Sequence, residues 1–372
     1  MVNQKSGNAA NWVLGRVLVG MVALTLLGGV GMAQAQMKTE ANVSVTFGRA
    51  TLETAQGATA KTSESRFLAV ERVELMISGG SADFTTRIRL LTEDRYDRFA
   101  AFPGAGGPGM VMDTQFLGHE ITWKASKDVN VTLSGSSLGI ASLDAKSGMT
   151  LFHGVIAPNT ASYDDEGYGN QALGRGYGLG NVEYAMDKNT VLGLAVFTDC
   201  ISGICDAIGA PNVERKTNVL HGRMKMDNMD FSAGYITGSG IARGFRDVTY
   251  KATGFQLGGF MKSKDFSAGL DYISNTAKNP VQNAANADQK TSAFSAGLDM
   301  NNIRAVYYSG KVNNVGGVKD ATISSSSIVA GYGIPVGKTG TVGGEYRTES
   351  IAVKGQAKTT DTSIAFGMKN TF

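Results

Sequence analysis

The feature that most constrains this chain is an alternation of apolar and polar residues with a period of two, recurring from residue 41 to the end. Such alternation builds strands with one greasy face and one polar face. Sixteen stretches can be drawn: 41–53, 66–78, 82–93, 115–124, 129–138, 178–185, 190–198, 218–226, 231–237, 249–262, 266–274, 292–300, 303–311, 326–334, 341–349 and 360–372. The last is the clearest. Ile364, Phe366, Met368 and Phe372 share one parity; Ser363, Ala365, Gly367, Lys369 and Thr371 share the other. A greasy strand finishing on an aromatic needs a neighbour on both edges. In a closed sheet the stretch 41–53 supplies the second one.

The connections alternate as well. Short polar ones include Gly79-Gly80-Ser81, Ser126-Lys127-Asp128, Asp187-Lys188-Asn189, Lys264-Asp265 and Asn301-Asn302. Those between them are longer and polar or Gly-rich. An up-and-down barrel with tight turns at one end and loops at the other has this rhythm, whereas a sandwich mixes the lengths through crossings. Glycine at 49 with proline at only 6 suits long strands joined by tight turns. Charged residues are 18%, below the ~25% of soluble domains. A net charge of +3 without a concentrated basic patch argues against a nucleic-acid partner.

Residues 1–35 have the form of a secretory signal. Lys5 and Arg16 are their only charges, Val17 to Val30 is nearly all apolar, and Ala33-Gln34-Ala35 offers small residues for cleavage after Ala35. The mature domain is then 36–372. No later stretch approaches the ~18 apolar residues of a spanning helix. The faces complete the expectation of an all-β, sixteen-stranded antiparallel transmembrane barrel: apolar residues outward, Ser, Gly, Asn, Asp, Arg and Glu inward. Glu71 has outward parity, which means either a register slip or a wall that meets another protein chain.

The opening Val45-Thr46-Phe47-Gly48, the strand layout and the ending Phe366-Gly367-Met368-Lys369-Asn370-Thr371-Phe372 resemble the general trimeric porins of Gram-negative outer membranes, the beta-proteobacterial ones in particular. The resemblance implies an outer-membrane location among lipid, a homotrimer, and passive diffusion of small hydrophilic solutes and ions. It also implies that the barrel assembly machinery recognises Phe372. In that family the longest loop folds into the barrel, with its acids facing basic residues of the wall. Here that loop is about 139–178. It carries Asp164, Asp165 and Glu166, and the basic wall is Arg72, Arg87 and Arg89. Opposed charges across a narrow aqueous gap set up a field that favours polar solutes. Inward bases slightly outnumber inward acids, which points to a mild anion preference.

Cys200 and Cys205 lie close together between two strands of an exported chain, so a local disulfide is expected; a metal pair there lacks nearby His partners. His119, His153 and His221 are scattered, and no set of them suggests catalysis, so the chain is not expected to be an enzyme. Residues 333–339 fall one short of a phosphate-binding loop. No cofactor and no metal is expected. The competing readings are a solute-specific channel of the same build, a barrel enzyme, and a barrel whose loops bind other surfaces.

Overall fold

The computed structural model of the chain describes residues 37–56, 60–96, 110–134, 179–197, 213–242, 248–278, 287–314, 319–355 and 358–372. The signal segment 1–35, the whole stretch 139–178, and Cys200 and Cys205 lie outside the described residues.

The described residues form strands joined antiparallel in chain order. β1 (Lys38–Gln56), β2 (Ala60–Gly80), β3 (Phe84–Tyr96) and β4 (Met110–Lys124) come first. β5 (Val129–Ser134), β6 (Leu179–Ala185), β7 (Thr190–Phe197) and β8 (Val213–Met226) follow. Next are β9 (Met229–Ala242), β10 (Val248–Lys262), β11 (Phe266–Lys278) and β12 (Gln289–Met300). β13 (Ile303–Asn313), β14 (Thr322–Val336), β15 (Gly340–Val353) and β16 (Thr359–Thr371) complete the sheet. It closes on itself, with β16 beside β1. At the seam Val45 lies opposite Met368 and Phe47 opposite Phe366. The Phe372 N–H donates to the Ala41 carbonyl at 2.8 Å, and the Ala41 N–H returns a bond to the Phe372 carbonyl at 3.2 Å.

The burial pattern inverts that of a water-soluble domain. Phe366 is 65% exposed and Leu220 61%, whereas Arg347 and His221 are each 2% exposed. Large apolar side chains on β5 through β16 face out in alternation with buried polar ones. In water that arrangement would forfeit the ~1.5–3 kcal/mol gained by burying each large apolar side chain. A hydrocarbon surround removes the penalty.

The tight turns share a simple construction. Ser126 Oγ accepts from the N–H of Asp128 at 3.2 Å and of Val129 at 3.1 Å. Asp187 Oδ1 does the same for Asn189 at 2.6 Å and Thr190 at 2.8 Å. Asn301 and Asn302 have φ of 51° and 69°, the paired left-handed conformation of a two-residue hairpin turn, which fits the twist of the strands.

Four expectations change. Strands run further at the loop end: β2 begins at Ala60 instead of 66 and β8 at Val213 instead of 218, leaving only 57–59 between β1 and β2. The period-two signal fades there because a strand rising beyond the apolar band has water on its outer face. Between β3 and β4 the register shifts at Arg89/Leu90, so Ile88 faces His119 but Leu90 faces Phe116. The register thus passes from Gly118 to Phe116 and skips Leu117, which reverses the parity expected for β4 beyond the bulge. The sequence repeats Phe-Ser-Ala-Gly at 231–234, 266–269 and 294–297, with a short polar turn expected directly before each copy, but the third copy sits inside β12. Finally, the inner face also carries apolar residues, among them the buried Ala195, Val219, Val306 and Val312. They share parity with His221 on β8 and Tyr308 on β13.

Candidate pore lining

The inner face is built by alternate residues of each strand, so its chemistry can be followed rung by rung. On the wall of β2 and β3, Arg72 lies opposite Glu93, Arg89 opposite Met76, and Arg87 opposite Ser78. The three arginines therefore occupy one face of adjacent strands. Arg87 is opposite Glu120 of β4, and the two form an ion pair at 2.9 Å. The acidic partners expected across the gap, Asp164, Asp165 and Glu166, lie outside the described residues. So does the Cys200–Cys205 segment.

Further round the wall the inward bases are engaged in the same way. Arg223 Nε and Nη2 reach Asp230 Oδ1 at 3.1 and 3.0 Å. Arg304 Nε donates to Asp299 Oδ2 at 3.0 Å. Arg347 is 3.6 Å from Glu345 on its own strand. These bonds cancel charge locally between neighbouring positions, so a bare count of inward bases overstates the positive field in the lumen.

His221 of β8 is buried. Its Nε2 is 2.8 Å from Asn181 Oδ1, two strands away on β6. Between them, Gly193 of β7 sits directly opposite His221. A β-carbon at Gly193 would come 2.2 Å from the imidazole Cε1, so the missing side chain is what lets the ring lie flat across β7. This is a wall-bracing contact that joins β6 to β8. His119 pairs with Ile88 at an outward ladder position, and His153 is outside the described residues.

Sequence reading missed the carboxylates Glu349 and Asp361. Both are on the inner parity, directly opposite each other on β15 and β16. It also missed the buried Gln256 and Gln289. Parity alone could have placed Gln256, Glu349 and Asp361, which lie inside the stretches drawn from the sequence, whereas Gln289 needed β12 to begin before 292. Among the described residues no group of His, Cys, Asp and Glu is arranged to hold a metal ion. No described helix is long and apolar enough to cross a membrane, which says nothing about crossing with strands.

No family model matches the chain, and no curated protein matches it in sequence. Solved structures do. The anion-selective porin from Comamonas acidovorans aligns with a TM-score of 0.58 at 12% identity, over 91% of this chain and 100% of that one. The chain has a porin fold. The outer membrane channel DcaP of Acinetobacter baumannii gives 0.56 at 13% identity, covering 92% and 99%. Salmonella typhi OmpF, in complex with daunomycin, gives 0.55 at 12% identity, covering 90% and 97%. At such identities the likeness extends to the porin fold alone.

Proposed function

We propose that this protein is an outer-membrane porin: a sixteen-stranded barrel with a water-filled lumen for passive diffusion of small hydrophilic solutes and ions. The observation that carries the reading is a closed antiparallel sheet with apolar residues outside and charged ones inside. A shell greasy on its outer surface belongs in lipid, and a charged inner wall belongs against water. Under this reading the signal segment is removed after Ala35. The 139–178 loop then folds inward, so that Asp164, Asp165 and Glu166 face Arg72, Arg87 and Arg89. A Cys200–Cys205 disulfide would stiffen its own loop on the outside.

A homotrimer is part of the same proposal, and the outer face of β1 to β3 supports it. Register is unbroken at Glu71, which lies opposite Val45 and Asp94. Two acids thus occupy facing outward positions. Charge against acyl chains costs on the order of a few kcal/mol at mid-depth, and a protein neighbour removes that cost.

The deciding experiment is planar-bilayer recording of the refolded, purified protein. Stepwise conductance of a size that fits a hydrated ion path is expected; a silent bilayer would sink the proposal. Neutralising Asp164, Asp165 and Glu166 together should move the reversal potential, and an unmoved one would remove the loop from the constriction.

A further inference from the structure

Four lysines stand on the outer face of adjacent strands, all near the loop end. Lys251 is the fourth residue of β10, Lys278 the last of β11, Lys290 the second of β12 and Lys311 the third from the end of β13. All four are exposed, and each shares parity with an exposed aromatic of its own strand: Phe255, Tyr272, Phe294 and Tyr307 in turn. Lys251 is directly opposite Lys278. Lys290 is opposite Thr276, and Lys311 is opposite Ser292, so each is one diagonal step from the lysine before it. Direct and diagonal neighbours on one face lie about 5–8 Å apart, so the four ammonium groups form one continuous row.

The row caps an ordered series of chemistries. Phe255 and Tyr272 pack ring against ring with centroids 5.7 Å apart, and Phe294 and Tyr307 do so at 6.5 Å. Outward aromatic rings mark the level at which hydrocarbon gives way to headgroups. Towards the loops come the outward hydroxyl residues Thr253, Ser274, Ser292 and Ser309, and then the lysines. Lys251, Lys290 and Lys311 are each four residues beyond the ring of their own strand. That is about 10 Å of height at ~3.3 Å per residue and a tilt of ~40°. Like charges facing each other across a ladder repel, so such a row needs anions beside it. No outward position of β10 to β13 holds an acid. Among the described residues none of the four ammonium groups forms an ion pair, with Asp288 just before β12 or with any other carboxylate. β10 and β11 are eight strands from β2 and β3 in either direction round the sheet. The row is therefore across the barrel from the outward positions of Glu71 and Asp94, on the side that the trimer reading leaves to lipid.

We infer that this row binds the phosphate groups of the glycolipid in the outer leaflet. The inference rests on the outer-membrane porin reading and deepens it by naming the lipid chemistry at one wall. Ammonium groups at this spacing reach more than one phosphate at a time, and the hydroxyls below them face the sugar oxygens. A lysine close to an anionic lipid surface strengthens association about five-fold.

The test titrates the refolded, lipid-free protein in neutral detergent with diphosphorylated lipid A and, separately, with its dephosphorylated form, binding being read by native mass spectrometry. The phosphorylated form should bind at least about ten-fold more tightly. A variant carrying Lys251→Gln, Lys278→Gln, Lys290→Gln and Lys311→Gln should lose at least about ten-fold in that binding, whereas the same four positions changed to Arg should stay within about two-fold of the wild type. Lys127→Gln, Lys188→Gln, Lys264→Gln and Lys338→Gln together remove as much charge from the tight turns at the other end, and should also stay within about two-fold. If the first variant fails to fold, as judged by the shift in gel mobility on heating, the pair Lys251→Gln and Lys278→Gln should still lose at least about five-fold. Binding unmoved by the outer-face changes, or lost equally in the turn variant, would overturn the inference. A changed particle mass by light scattering with lipid binding unmoved would overturn it too, and would assign the face to another chain. Planar-bilayer conductance of the same variants should match the wild type. Conducting channels that bind both lipid forms equally would overturn this inference alone; a silent protein that prefers the phosphorylated form would overturn the channel reading alone.

Discussion

Asp187 shows how one side chain fixes where two strands meet. The backbone N–H of Asn189, then burial acting the other way, then Thr190 set its acidity, and the balance holds its carboxyl below the usual carboxylate range. A carboxyl lowered in the folded state stabilises the fold above its unfolded value of ~3.9 and ceases to do so as pH falls through the lowered one. The β6–β7 turn should therefore open in acid, read as faster hydrogen exchange at the Asn189 and Thr190 amides. Asp187→Asn, which keeps an acceptor but does not titrate, should flatten that dependence. Gly193 is the second residue-scale test. Gly193→Ala forces a methyl against the His221 ring and should cost ~1–3 kcal/mol, seen as a lower thermal transition of the folded barrel. Adding His221→Ala should recover most of the loss, since it removes the clashing ring. Sequence made the first of these sites legible, because Asp and Ser at turn entrances have a local reason to be there. It could not show the second, whose glycine has meaning only once β7 and β8 are in register.

At the level of the strand, β16 was the most readable element, and its expected partner β1 is its partner in the sheet. Its apolar parity runs through Ile364, Phe366 and Met368 and resumes at Phe372 after Asn370, so a pairing shift by one residue would turn those greasy side chains inward. Deleting Phe372 takes away the backbone bonds to Ala41 at the base of the seam. Such a variant should reach the outer membrane at sharply reduced levels while the refolded fraction conducts normally; normal membrane levels would show that the end of the chain has another role. β4 was less readable for an equally physical reason. The bulge between β3 and β4 inserts one residue, and a bulge leaves no mark on parity except to reverse it. The loop-end extensions escaped for a third reason: with water on both sides, no apolar face is left to mark the strand.

For the whole molecule, the order of strands followed from the chain, but the height of each inner residue did not. Height depends on the stagger between strands, and stagger is a property of closure. That is why Arg87 could be assigned to the inner wall from sequence while its place opposite Glu120 of β4 could not. Oligomeric state is the prediction that belongs here. The protein extracted in mild detergent should have the mass of three chains by light scattering. Replacing both Glu71 and Asp94 by Leu should change its tendency to associate, because it removes the reason for that wall to avoid lipid. A native mass of one chain would assign those outward acids some other neighbour.

The β1–β2 hairpin has one more consequence. Its second strand is 21 residues long. At ~3.3 Å per residue and a tilt of ~40°, that is about 50 Å of height, against an apolar band of ~25 Å. Roughly half of the hairpin stands clear of the bilayer as a parapet of paired backbone. On that side the rim of the mouth is ruled by fixed hydrogen bonds, so it keeps its bore when crowded by surface sugars. A bulky molecule arriving there is turned away by a stiff edge well before it meets the charges below.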